Sequence, residues 1–249
     1  SESLPLARSS ATLSPKGRGS NNSPLWIRTL MPALVPNRFL VRVSHPCPHV
    51  KAMPGGGDAL LDLPESARLN NFAELDGGKN FADVRIAWNE LGLGVQVTVA
   101  GKEQDPVGDA DKPRGSDGLT LWIDTRDART SHRASRFCHQ FHFLPVGGGP
   151  EKDEPAVVQS KINRAQQDAP LCDPSAVALR CTRTKHGYRL EAFLPAAVLG
   201  GFDPEQHPRL GVSYHIRDAE LGDQYLGVNG DFPVSDDPSL WEPLELVGK

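Results

Sequence analysis

Apolar and polar residues alternate with a period of two through most of the chain beyond residue 37. "GLTLWID" (118–124) shows the pattern plainly: Leu119, Leu121 and Ile123 interleave with Thr120, Trp122 and Asp124. That period sends neighbouring side chains to opposite faces of a strand. Similar runs occur at 38–43, 59–63, 81–88, 93–100, 136–144, 156–162, 176–183, 188–194, 210–218, 224–228 and 240–247. Turn-forming clusters such as "PGGG", "ELDGG" and "VGGGP" separate them, and "WNELGLGV" reads as a tight hairpin. One segment reads as a short helix, "PAAVLGG" (195–201), with Pro at its start and Gly past its end. Many short strands without a βαβ rhythm predict an all-β fold. The expected architecture is an antiparallel β-sandwich with one short helix and an irregular N-terminal extension.

The alternation sets an indole on the polar side of its strand. If Leu119, Leu121 and Ile123 face the core, Trp122 faces away from it. The same parity in "RFCHQFHFL" separates Phe137, His139, Phe141 and Phe143 from Cys138, Gln140 and His142. In "LGVSYHIRD" it separates Val212, Tyr214 and Ile216 from Ser213, His215 and Arg217, and in "YRLEAFL" it sets Glu191 opposite Leu190 and Ala192. The expected outer surface therefore bears Trp122, Gln140, His142, Glu191, His215 and Arg217. An aromatic plate beside amide, imidazole and charged groups suits a hydroxyl-rich ligand, because the ring stacks on C–H bonds while the polar groups fix the hydroxyls. An ordinary solvated or loop-covered sheet face has the same composition.

Composition adds one boundary. The first 24 residues are rich in Ser, Pro, Gly and Asn, and residues 1–50 carry six Lys/Arg against one acidic residue in a chain of net charge −4. Residues 1–25 are read as a basic arm, either a solvated tail or a contact for an acidic partner protein through residues 1–50, and 26–249 as a single sandwich domain. No apolar run approaches the roughly 20 residues that span a bilayer, and no nucleic-acid partner is expected. Four cysteines (47, 138, 172 and 181) form no disulfide framework, although the spacing allows Cys172 and Cys181 to pair.

Other chemistries find little support. There is no G-x-S-x-G elbow, and the Gly triplets at 55–57 and 147–149 lack the Lys-Ser/Thr of a phosphate loop. "HPCPH" sets His45, Cys47 and His49 at alternate positions, where three ligands lack a fourth for a closed zinc site. His132, His139 and His142 with Cys138 make a weaker set, since His139 and His142 fall on opposite faces. Asp117, Asp124, Asp127, Glu191 and Asp218 supply carboxylates, but nothing in the sequence sets two across a cleft as glycoside hydrolysis needs. No catalytic residue, metal or cofactor is expected.

Taken together, "FADVRIAWNELGLGVQVTVAGK" (81–102), "SDGLTLWIDTRD" (116–127), "YRLEAFLPAAVL" (188–199), "GVSYHIRDAE" (211–220) and "DPSLWEPLELV" (237–247) resemble, in order, a family 9 carbohydrate-binding module within the DOMON-like sandwiches. The resemblance implies a jelly-roll-type sandwich and a non-catalytic, carbohydrate-binding role. It also implies an extracytoplasmic setting, which nothing in the N-terminal residues assigns. It places Arg114 and Phe232 where the family has its two clamping tryptophans, Thr120 where it has a glutamate and His142 where it has an arginine. The ligand-binding set is then Arg114, Thr120, Trp122, Gln140, His142, Glu191, His215, Arg217 and Phe232, for a glycan or another small polar ligand. The competing expectation is an accessory subunit that binds a protein through the sandwich and the arm. A haem-binding relative needs axial ligands, and Met31 and Met53 are the only methionines.

Overall fold

The predicted hairpin forms as read. β2 (Ala82–Asn89) and β3 (Gly92–Ala100) pair antiparallel across a two-residue turn, from Asn89↔Gly92 to Ala82↔Val99. Gly92 takes a φ of +150° at a point where a Cβ would lie 2.0 Å from the Leu194 carbonyl oxygen, so only glycine fits there. The coordinates are a computed structural model that describes residue 37, residues 43–57 and residues 59–248. The arm at 1–25, Met31 and all but the last residue of the strand expected at 38–43 lie outside the described residues. So does most of the 1–50 segment proposed to meet a partner.

The other strands are β1 (His45–Pro48), β4 (Gly118–Asp124), β5 (Cys138–Gly148), β6 (Glu154–Ser160), β7 (Ala178–Thr184), β8 (Gly187–Pro195), β9 (Arg209–Asp218), β10 (Gly222–Tyr225) and β11 (Glu242–Val247). They form two sheets. The larger runs β1-β11-β9-β4-β5-β6, with β10 also paired to β9, and the smaller runs β2-β3-β8-β7. β4 pairs with β9 along 211–217, while β11 takes residues 209–212 and β10 takes 215–218 of β9. All of these pairings are antiparallel except β1 with β11, which is parallel. Leu119, Leu121, Ile123, Phe141, Phe143, Val212, Tyr214 and Ile216 of one sheet meet Val84, Ile86, Val95, Val97, Leu190 and Ala192 of the other in the main core. Parity thus assigns the inner faces of β4, β5, β8 and β9 as read from the sequence.

Two local readings differ, and the pairing that the spacing of Cys172 and Cys181 allowed is absent. "PAAVLGG" forms only a 3-10 turn at Ala196–Val198, because Pro195 still belongs to β8 and Gly201 adopts positive φ. Cys172 and Cys181 are both free thiols at the margin of the main core. The 59–63 run is extended but unpaired. Leu61 and Leu63 point onto Ala87 and Phe193 on the outer face of the smaller sheet, with Met53 and Ala67. Side chains rather than a strand edge satisfy its backbone: Glu191 accepts from the Leu60 N–H at 2.9 Å and Gln96 from Leu63 N–H at 3.3 Å. Arg189 donates to the Leu61 carbonyl at 2.7 Å. Alternation here records a segment lying on a sheet, not a strand within one.

At one end of the sandwich a buried ammonium ties the sheets together. Lys102, just past β3, is 2% exposed and donates to Asp218 at 2.9 Å and Asp117 at 3.3 Å. Burial disfavours its charge, but hydrogen bonds and the charges of Asp218 and Asp117 outweigh that and raise its pKa. Asp117 and Asp218, two of the carboxylates the sequence supplies, are spent on this ammonium. Asp124 likewise accepts from the Arg126 and Ala128 N–H groups of its own turn.

Candidate functional site

β4 is the central strand of the outer face of the larger sheet. Its Thr120 lies between His142 of β5 and His215 of β9, and Trp122 lies between Gln140 and Ser213. Part of this wall is covered. Ala134, Ile162, Val228, Val234 and Trp241 enclose Trp122 and Cys138 in a second apolar cluster, and the indole is 4% exposed. The indole on the polar side is therefore packed under loops, with one margin left open.

At that margin is a cavity of about 250 Å³. Of the nine residues expected, Arg114, Thr120, Trp122, Gln140, His142, His215 and Phe232 line it. Tyr225, Gly230, Val234 and Ser235 line it too, and the sequence reading missed them. The signal for the last three was the Gly/Asn/Pro-rich stretch "NGDFPVS" (229–235), which reads as a turn rather than a wall, while Tyr225 lies in the run at 224–228 read as a strand. Tyr225 stacks on the His215 ring with centroids 4.3 Å apart and planes 7° from parallel. Gly230 leaves the Tyr225 hydroxyl room, since a Cβ there would come within 2.8 Å of it.

Two expected members are elsewhere. Glu191 sits on β8 of the smaller sheet, whose outer face is turned away from Trp122's, and it is paired with Arg189 at 2.7 Å and with Leu60. Parity chose the right side of its strand but could not say which sheet the strand joins. Arg217 shares the face of His215 but does not line the cavity. It is exposed, and its Nε donates to the Gly115 carbonyl at 3.3 Å. The "HPCPH" residues are spent separately: His45 on Glu242, Cys47 on the Ile86 carbonyl in the core, and His49 on Glu90.

The cavity floor is a directed chain of hydrogen bonds. An indole N–H can only donate, so Trp122 Nε1 donates to Gln140 Oε1 at 3.0 Å and fixes the amide orientation. Gln140 Nε2 then donates to His142 Nε2 at 2.9 Å, which makes that nitrogen the acceptor of a neutral ring. His142 Nδ1–H in turn donates to Thr120 Oγ1 at 2.9 Å, leaving the Thr120 hydroxyl proton for the cavity. Burial, with the nearby charges of Arg114 and His215, lowers the His142 pKa to about 4, consistent with the neutral ring the chain requires. Burial also lowers that of His215, against its 2.7 Å hydrogen bond to Asp223. Thr120→Val is expected to leave the His142 Nδ1–H unpaired and to lower unfolding free energy by about 1–3 kcal/mol. Thr120→Ser, which keeps the oxygen, is expected to retain most of it; urea denaturation distinguishes the two.

The sequence matches no protein-family model and no curated protein. Solved structures do align with it. A family 9 carbohydrate-binding module from Caldicellulosiruptor kristjanssonii, in complex with cellotriose, superposes with a TM-score of 0.56 over 83% of this chain and 95% of that one, at 12% identity. The fold is similar to that of a family 9 carbohydrate-binding module. A second structure from that organism, in complex with glucose, gives a TM-score of 0.48 over 70% of this chain and 81% of that chain, at 14% identity. At such identity the likeness extends to the two-sheet architecture, while the cavity residues must be argued from their own chemistry.

Proposed function

We propose that the protein is a non-catalytic carbohydrate-binding module that holds a single sugar ring, or the end of a chain, in the cavity beside Trp122. The observation that carries this reading is the convergence of apolar walls and aimed polar groups in one small space. Phe232, Trp122 and the stacked Tyr225–His215 pair supply apolar surface, and Thr120, Gln140 and Arg114 supply donors. Aromatic walls cover the C–H faces of a pyranose while a few fixed polar groups choose its orientation. A cavity of about 250 Å³ is at the small end of ligand pockets, which start at roughly 300 Å³, and so on the scale of one ring rather than an oligosaccharide. The solved structure that superposes at a TM-score of 0.56 was obtained with cellotriose, which supports the ligand class.

Titration calorimetry against a panel of mono- and disaccharides tests the reading. Saturable binding is expected, weakened roughly ten-fold in Phe232→Ala, since an aromatic wall contributes on the order of 1 kcal/mol beyond its area. Heat from no sugar, or an unchanged affinity in Phe232→Ala, would reject the cavity as the site.

A further inference from the structure

We propose that the sugar this cavity takes is an acidic one, a hexuronate, held by its carboxylate on Arg114. The inference rests on the carbohydrate reading above and narrows it from a neutral ring to a charged one.

No carboxylate is among the described residues that line the cavity. The acids nearby already have partners: Asp223 accepts from His215 at 2.7 Å, Asp231 from the Asn229 amide at 3.0 Å, and Asp236 from Ser235 and Asn163. The hydroxyl of a neutral sugar brings a proton as well as lone pairs, and that proton needs an acceptor. The floor offers it little. The Trp122-to-Thr120 chain uses the Gln140 oxygen and the His142 Nε2 lone pair internally, and sends the Thr120 hydroxyl proton outward. Toward the cavity Thr120 presents a proton and Arg114 a guanidinium, the Tyr225 and Ser235 hydroxyls can also accept, and a carboxylate, which only accepts, is matched by the first two.

Arg114 supplies the complementary charge. It follows Pro113 in a 3-10 turn at Pro113–Gly115, at the cavity rim, and is exposed. Among the described residues its guanidinium has no hydrogen-bond or ion-pair partner. Arg126, Arg129, Arg133, Arg183, Arg189 and Arg209 each hold a carbonyl or a carboxylate, whereas Arg164 and Arg180, which share Arg114's lack of one, do not line the cavity. A free guanidinium beside apolar walls is a planar fork suited to a carboxylate, and two parallel N–H···O bonds fix the ring's direction as well as its charge. The field of Arg114 already reaches the cavity floor, where it helps to keep His142 uncharged.

Calorimetry separates this proposal from the broader one. The wild-type protein is titrated with D-glucuronate and D-galacturonate, with glucose and galactose, and with the methyl esters of the two uronates. At least ten-fold tighter binding of one uronate than of its neutral sugar and its ester is expected, weakening as salt is raised. Arg114→Gln is expected to abolish that preference, so that uronate, ester and neutral sugar bind the variant alike. Because Arg114 is exposed, loss of fold is not an expected complication, and a melting curve checks it. Equal affinity for uronate, ester and neutral sugar overturns the acidic-sugar proposal while the carbohydrate reading stands. A uronate preference that survives Arg114→Gln overturns the assignment of the carboxylate to Arg114. If neither charged nor neutral sugars bind the folded protein, the carbohydrate reading itself fails.

Discussion

A Lys102→Met variant is expected to lose about 3–5 kcal/mol of unfolding free energy, because removing one partner of a buried ion cluster leaves the others charged and unneutralised. For a chain of this length that is a fall in Tm on the order of 10 °C. Asp117 and Asp218 are both buried, and among the described residues no other Lys, Arg or His pairs with either. Their remaining contacts are backbone donors: Val107 and Ala219 to Asp117, Glu220 and Leu221 to Asp218. These amides orient the carboxylates but cannot cancel two negative charges. Lys152 gives the control, since its half-exposed ammonium meets Asp109 at 2.9 Å in solvent, and Lys152→Met is expected to leave Tm unchanged. Equal small losses in the two variants would show that the Lys102 cluster contributes no more than a surface pair. The same change bears on function, because Asp117 lies three residues beyond Arg114 and the cluster anchors the cavity's rim to β9 and β3.

The second large effect is acid destabilisation centred on His142. Folding lowers its pKa from 6.5 to about 4, first through burial and then through the charges of Arg114 and His215. Below pH 6.5 the unfolded chain takes up a proton that the folded protein refuses, so stability rises with pH across this window. The contribution is intact above pH 6.5, is lost progressively down to about pH 4, and is constant below it. Two to three pKa units correspond to roughly 3 kcal/mol. Burial lowers His139 and His215 as well, which adds to the loss with the same sign. Urea denaturation from pH 7 to 4 is expected to show a decline already between pH 6.5 and 5, before most carboxylates titrate. His142→Gln is expected to flatten part of it. A flat profile in the wild type would mean that the imidazole can be charged where it stands. It would then contradict the directed chain, because a protonated Nε2 would face the Gln140 amide donor to donor.

How far the sequence exposes these features depends on which physical signal carries them. Period-two alternation is a property of one strand, and it placed Thr120, Trp122, Gln140, His142 and His215 on one side of their strands. They meet because β5, β4 and β9 are neighbours, and the order of strands leaves no trace in the alternation. Glu191 shows the consequence: its side of β8 was read correctly, yet β8 belongs to the other sheet. The 59–63 run shows a second blind spot. A segment laid across a sheet buries alternate residues just as a strand does, and only its hydrogen bonds tell them apart. Gly230 and Ser235 are hidden for a third reason: irregular chain has no period, so this wall of the cavity reads only as a turn. Arg114 and Phe232 were reached through family resemblance, and both line the cavity although neither is the tryptophan that the family pattern calls for.

The strap at 60–63 has a length requirement of its own. Its grip consists of handles on Gln96, Arg189 and Glu191 that catch the backbone at Leu60, Leu61 and Leu63, while Leu61 and Leu63 plug the surface beneath. Exchanging Asp62 for another solvent-facing side chain leaves every handle engaged. Inserting or deleting one residue there reverses the parity, turning leucines toward water and an acid toward Phe193. Drift among related chains should therefore be free in residue identity at that position and frozen in spacing, a pattern that an alignment would record as a gapless stretch of low similarity.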